Sequence, residues 1–249
     1  MTPDHCLALL RAGDPDRFAA VAASEPRDRP RLATLYAANL EIARAAIASR
    51  EPLICEMRLQ FWADQIASIA EGREAARHEV VTPLAEAWGA EIAPLATLIA
   101  ARRRDTERQP FRDDGALLDY IDACSGTVMR LAAQGCGMAG DAPLIAQQAR
   151  GAGLAGWLEN YTALRTLNLG LQPEGDARLA RLAEIGLDAF AAAARMQPAP
   201  PRRAAGALYA GAGAGRVLRA IRDGRKVRVT GFARNLSRTA LAFFGRWQG

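Results

Sequence analysis

Histidine is almost missing from this chain: His5 and His78 are the only two in 249 residues. The four cysteines, Cys6, Cys55, Cys124 and Cys136, show no CxxC spacing. A zinc site therefore lacks a ligand set, and the thiols read as buried, reduced side chains of a cytosolic protein. Aromatic residues make up only 6% of the chain and β-branched runs are short, whereas alanine and leucine dominate. That balance favours an all-helical protein. Long hydrophobic runs are missing too. The longest apolar stretches, residues 84–101 and 185–194, are broken by Glu86, Glu91, Pro94 or Asp188, so none has the uninterrupted length of a membrane span. No basic region precedes the short apolar run before Asp14-Pro15-Asp16, and a secretory signal is not expected.

What is present is core-forming material. Half of the residues are hydrophobic, enough for one large domain or two small ones. The formal charge of +5 conceals a polarity: from Arg202 onward there are eleven Lys/Arg and one acid, Asp223, while residues 1–201 carry a net charge of −5. Asp14 or Asp16 is placed to cap a first helix, and Pro30 lies near the first position of a second. Leu32, Leu35, Tyr36, Leu40 and Ala43 recur at helical spacing. Glu51-Pro52 opens another helix, with Leu53, Met57, Phe61 and Ile66 assigned to one packing face and Gln60 and Asp64 near a polar edge. Further helices are predicted from Thr82-Pro83 to Trp88, from Ala93-Pro94 to Arg102-Arg103-Arg104, from Asp113-Asp114-Gly115 toward Gly135, and over 142–170, 176–195 and 202–222. Residues 197–201 are the clearest punctuation. There is no internal repeat.

Three blocks carry a family resemblance. The first lies in residues 30–66, from Leu35-Tyr36-Ala37 to Glu56-Met57-Arg58-Leu59-Gln60-Phe61-Trp62-Ala63-Asp64. The second spans residues 120–131, with Ser125-Gly126-Thr127 at its centre, and the third spans residues 152–160, ending Leu158-Glu159-Asn160. Together they resemble the squalene/phytoene synthases, head-to-head prenyl transferases. The resemblance implies an all-α isoprenoid-synthase (terpenoid synthase) bundle around a central cavity, one domain over 1–249 with the basic helices of 202–249 part of it. It also implies two aspartate-rich motifs that bind magnesium. Here the first motif's positions read Ala43, Arg44, Ala45, Ala46 and Ile47, and no carboxylate lies between Glu159 and Glu174. Ionising an allylic diphosphate needs magnesium, which takes hard oxygen ligands in octahedral geometry. Glu41-Ile42-Ala43-Arg44 and residues 57–62 are more similar to a non-catalytic branch, that of the mitochondrial complex I assembly factor of this family.

The preferred expectation is a protein without prenyl-transfer chemistry, an assembly or interaction factor at the cytoplasmic membrane face, with respiratory complex I as the partner the branch implies. The alternatives are a magnesium-dependent prenyl transferase and an isoprenoid or lipid binder. No cofactor is expected, with Mg²⁺ required only for the enzyme. The degenerate first motif groups Tyr36, Glu41, Ala43, Arg44 and Ile47, and Glu41 with Arg44 reads as an ion pair twice as readily as a ligand site. Arg58, Phe61, Trp62, Gly126, Thr127, Met129, Asn160 and Asn168 are assigned to the cavity lining. Asp113, Asp114, Asp119 and Asp122 form the weaker metal alternative, against the plainer reading of acids at a helix start. Ser125-Gly126-Thr127 reads as a tight helix crossing rather than a nucleophile, and Gly211, Gly213 and Gly215 as close packing rather than a phosphate loop. Arg234, Arg238, Phe243, Phe244 and Trp247 are the membrane-surface candidates, weighed evenly against a core helix with a solvated arginine face. Nucleic-acid binding is not expected.

Overall fold

Proline and aspartate set the helix starts. Pro15, Pro30, Pro52 and Pro143 each occupy a first turn, where the missing N–H loses no bond and the fixed φ is already helical. Asp14 accepts the Arg17 N–H at 3.0 Å and Asp113 accepts that of Ala116 at 2.7 Å, each capping the helix behind it. The computed structural model describes residues 4–139, 142–196, 201–227 and 230–244, and everything below refers to them.

Two short helices, α1 (Asp4–Gly13) and α2 (Pro15–Ala23), precede the long α3 (Arg29–Ala45) and α4 (Pro52–Ala70). Then come α5 (Val81–Trp88), α6 (Leu95–Thr106) and α7 (Asp114–Ile121). A π-helical turn, Asp122–Gly126, joins α7 to α8 (Thr127–Gly135). The second half holds α9 (Pro143–Glu159), α10 (Tyr161–Thr166), α11 (Asp176–Arg195), α12 (Ala205–Leu208), α13 (Ala214–Arg222) and α14 (Gly231–Phe244). Among the described residues the only strand-like pairing is the bridge between Phe111 and Leu171. No single helix there is long and apolar enough to cross a membrane.

Two apolar cores hold these helices. One gathers Leu10, Leu32, Leu35, Ile42, Leu59, Trp62, Leu84, Leu98 and Leu131 from α1, α3–α6 and α8. The other gathers Leu117, Ile121, Leu154, Leu158, Leu182, Phe190 and Leu218 from α7, α9, α11 and α13. Ala152 of α9 packs against both, so the cores meet along α9.

Four expectations change. The single helix predicted over 142–170 breaks at Asn160 into α9 and α10 and ends at Thr166. The segment before Asp14 is itself a helix, α1, with Cys6 and Leu10 fully buried. The predicted helix over 202–222 is broken into α12, short 3₁₀ turns and α13, because Gly213 adopts the left-handed conformation (φ 86°) that ends one segment and starts the next. The inward face of α4 also differs from the expected stripe. Cys55, Leu59, Trp62, Ile66 and Ile69 are buried, at alternating spacings of four and three that run the length of the helix, while Leu53 is 71% and Met57 66% exposed. The longer continuous stripe wins the core.

Candidate functional site: a central cavity and an adjoining groove

Where the two cores meet, the helices enclose a cavity of about 520 Å³. Its interior wall comes from Tyr36 of α3, Val128 and Met129 of α8, and Ala152 and Ala155 of α9. The π-helical turn brings Ser125 to this wall. Gly153 makes the approach possible, since a Cβ there would lie 2.6 Å from the Ser125 hydroxyl and 2.6 Å from Ile121.

The mouth is polar. Asp14, Asp16 and Arg17 come from the α1–α2 junction, Glu159 and Asn160 from the end of α9, and Arg234 from α14. Arginines bind every acid there. Arg17 pairs with Asp14 at 2.6 Å, Arg234 with Glu159 at 2.6 Å and with Asp16 at 3.4 Å, and Arg238 with Asp16 at 2.9 Å. Arg234 also donates to the Ala212 carbonyl at 3.3 Å. The Tyr36 hydroxyl is buried on the cavity wall with no hydrogen-bond partner among the described residues. Burial pushes its pKa well up, and the Arg17 guanidinium, 5.5 Å from the ring centroid, opposes that rise.

A second concavity, a groove of about 510 Å³, is lined by Glu41, Arg44, Ile47 and Ala48, by Arg58, Phe61 and Trp62 of α4, and by His78. Phe61, Trp62 and His78 form an aromatic cluster with centroids 5.7–5.8 Å apart. The His78 Nδ1 accepts the N–H groups of Val80 and Val81, which fixes the ring at the start of α5. Arg44 pairs with Glu41 at 2.8 Å and lies against Gly13, so it stands between groove and cavity.

The sequence-derived residues divide between these two places. Tyr36, Met129 and Asn160 line the cavity; Glu41, Arg44, Ile47, Arg58, Phe61 and Trp62 line the groove. Ala43 lines neither. Gly126 and Thr127 are buried behind the wall, with the Thr127 hydroxyl accepting from Arg130 at 3.0 Å. Asn168 sits outside the cavity at φ 59°, donating to the Arg108 carbonyl at 2.7 Å. Arg234 and Arg238 are corrected most sharply: they point inward to Asp16 and Glu159, not out to a membrane, because carboxylates across the cavity mouth offer better partners than water. The side chains of Phe243 and Phe244, and Trp247, lie outside the described residues. Reading by helix faces missed Arg17; Asp14 and Asp16 were visible only as cap candidates.

The four aspartates do not converge. Asp113 caps α7, Asp114 pairs with Arg178 and Arg181, Asp119 is exposed, and Asp122 pairs with Arg150.

The profile of the squalene/phytoene synthase family matches residues 10–161. The chain belongs to the squalene/phytoene synthase family. Its fold is similar to that in the crystal structure of a dehydrosqualene synthase in complex with ligand, with a TM-score of 0.78 and 12% identity over 97% of this chain and 95% of that one. No curated protein sequence matches it. Among the described residues no three Asp, Glu, His or Cys side chains come together as a metal site. The acids at the mouth already neutralise Arg17, Arg234 and Arg238. These residues do not fit a magnesium cluster, which needs several free oxygen donors around each ion.

Proposed function

We propose that this squalene/phytoene synthase-family protein carries no prenyl-transfer chemistry and acts as an assembly or interaction factor at a membrane face. One observation carries the reading: Asp14, Asp16 and Glu159, the acids at the cavity mouth, are each held by arginine. In a prenyl transferase, metal ions must neutralise a diphosphate leaving group. Here each of those acids is already paired with a cation of the chain itself. The likeness of residues 41–44 and 57–62 to the branch of the complex I assembly factor supports a respiratory membrane complex as the partner. The first test is direct. Purified protein incubated with farnesyl or geranylgeranyl diphosphate and Mg²⁺ should release no diphosphate above a protein-free control. Sustained release that tracks the protein through purification overturns the proposal.

The cavity itself favours a second reading, that of a lipid binder. It keeps an apolar wall, and the Tyr36 hydroxyl on that wall is free to bond a guest. Mass spectrometry of an organic extract of the purified protein should then show a stoichiometric isoprenoid or other lipid, and an empty extract removes this reading.

A further inference from the structure

The α3–α4 corner displays an apolar surface that the rest of the fold leaves uncovered. Leu53 is 71% exposed, Met57 66%, Ile54 38% and Ile47 37%. Leu53, Ile54 and Met57 share one side of the first turns of α4 through their i, i+1 and i+4 spacing. The corner is firmly held: the Ser49 carbonyl accepts from Arg108 at 2.7 Å, and the Cys55 thiol bonds both the N–H and the carbonyl of Ser49. The apolar side chains therefore stand on a fixed backbone. Two arginines flank them, Arg50 and Arg58, both exposed and without an ion-pair or hydrogen-bond partner among the described residues. The nearby acids are mostly spent, Glu41 on Arg44 and Glu56 on Arg103, which leaves Glu51.

We propose that this corner is where the protein rests on an anionic lipid bilayer, with Leu53, Ile54 and Met57 entering the headgroup layer and Arg50 and Arg58 meeting lipid phosphates. Charge decides against a second copy of this chain: a twofold contact through this corner would bring the unpaired Arg50 and Arg58 against their own counterparts. The four apolar side chains expose on the order of 400 Å². A patch of that size with cations at its edge suits shallow, charge-assisted insertion. The groove lined by Phe61 and Trp62 opens beside it, sharing Ile47 and Arg58. The inference rests on the membrane-face part of the proposed function and moves the contact away from the arginines of α14.

Flotation with vesicles tests it. Wild-type protein should bind vesicles containing 30–40% phosphatidylglycerol or cardiolipin (about that fraction gives a strong surface potential) and release as salt rises. Leu53→Ser/Met57→Ser should lower the partition coefficient about tenfold, and Arg50→Gln/Arg58→Gln about threefold to tenfold with a flatter salt dependence. Both pairs are exposed, so wild-type circular dichroism and urea midpoints are expected and confirm that the variants are folded. Phe232→Ser/Leu236→Ser, on the outward face of α14, should keep most of the binding. Wild-type flotation that the Leu53/Met57 pair leaves unchanged overturns the placement but spares the membrane-face reading. No flotation of wild type overturns both, while the diphosphate assay remains a separate test of the chemistry. A concentration-dependent dimer in ultracentrifugation, lost in Leu53→Ser/Met57→Ser and unaccompanied by flotation, assigns the corner to a second copy and overturns the proposal.

Discussion

At the scale of single residues, some buried polar groups find partners that the sequence places far away. The Tyr120 hydroxyl donates to Asp105 at 2.6 Å, and Arg102 reaches the same carboxylate at 3.2 Å and the same hydroxyl at 2.5 Å. Burial drives the Tyr120 pKa well up, with Arg102 opposing and Asp105 adding to the rise. Tyr120→Phe keeps the ring against Phe111 but leaves Asp105 and Arg102 each one bond short. We expect a loss of about 1–2 kcal/mol in urea unfolding, and an unchanged midpoint would show that the hydroxyl contributes nothing net. Such pairs also mark the limit of legibility. Glu41–Arg44 could be read from its i, i+3 spacing. Asp28–Arg203, 175 residues apart, could not, because folding alone brings the two together.

At the scale of elements, helix starts were legible and helix faces only partly so. Pro30, Pro52 and Asp113 mark beginnings through backbone chemistry that does not depend on the rest of the fold. Which stripe of α4 turns inward depends on its neighbours, and Leu53 and Met57 fit a helical period as well as Cys55 and Leu59 do. The orientation of α14 was hidden for a similar reason. Its arginines read as a solvated face, yet Arg238 is 7% exposed and clasped by Asp16. Asp16→Ala removes the acid shared by Arg234 and Arg238 and strands a buried cation. Amide hydrogen exchange across 231–242 should quicken about tenfold while α3 and α9 keep their protection. Uniform protection across α14 would mean that apolar contacts such as Leu241 on Ala20 suffice to hold it.

For the whole molecule, the fold class and family were readable because three blocks of motif residues and a helical composition point the same way. The cavity was harder to read. Its mouth is assembled from the α1–α2 junction, the end of α9 and α14, three segments with no shared pattern. The thiols give a property of the entire chain. Burial raises Cys6 to about 11 and Cys136 to about 12, the latter with Asp28 adding to the rise, against an ordinary value of 9.0. A folded-state pKa above the unfolded one gives stability that is complete below about pH 9 and drains away as pH climbs toward 11–12. Each thiol contributes on the order of 3 kcal/mol to that loss. Urea midpoints should hold steady from pH 7 to 8.5 and fall beyond it, and Cys136→Ala should flatten the fall. A flat profile to pH 11 would mean the thiols ionise in place without cost.

The π-helical turn at Asp122–Gly126 holds the surplus residue of a wider coil. Removing one position from that stretch would restore ordinary winding, and because the wider turn spends its extra residue without extra rotation, α8 would stay nearly in phase with α7. Val128 and Met129 would keep their posts while the bulge that presses Ser125 toward Gly153 flattened, so a one-codon deletion would reshape that single wall and leave every flanking helix its own sequence.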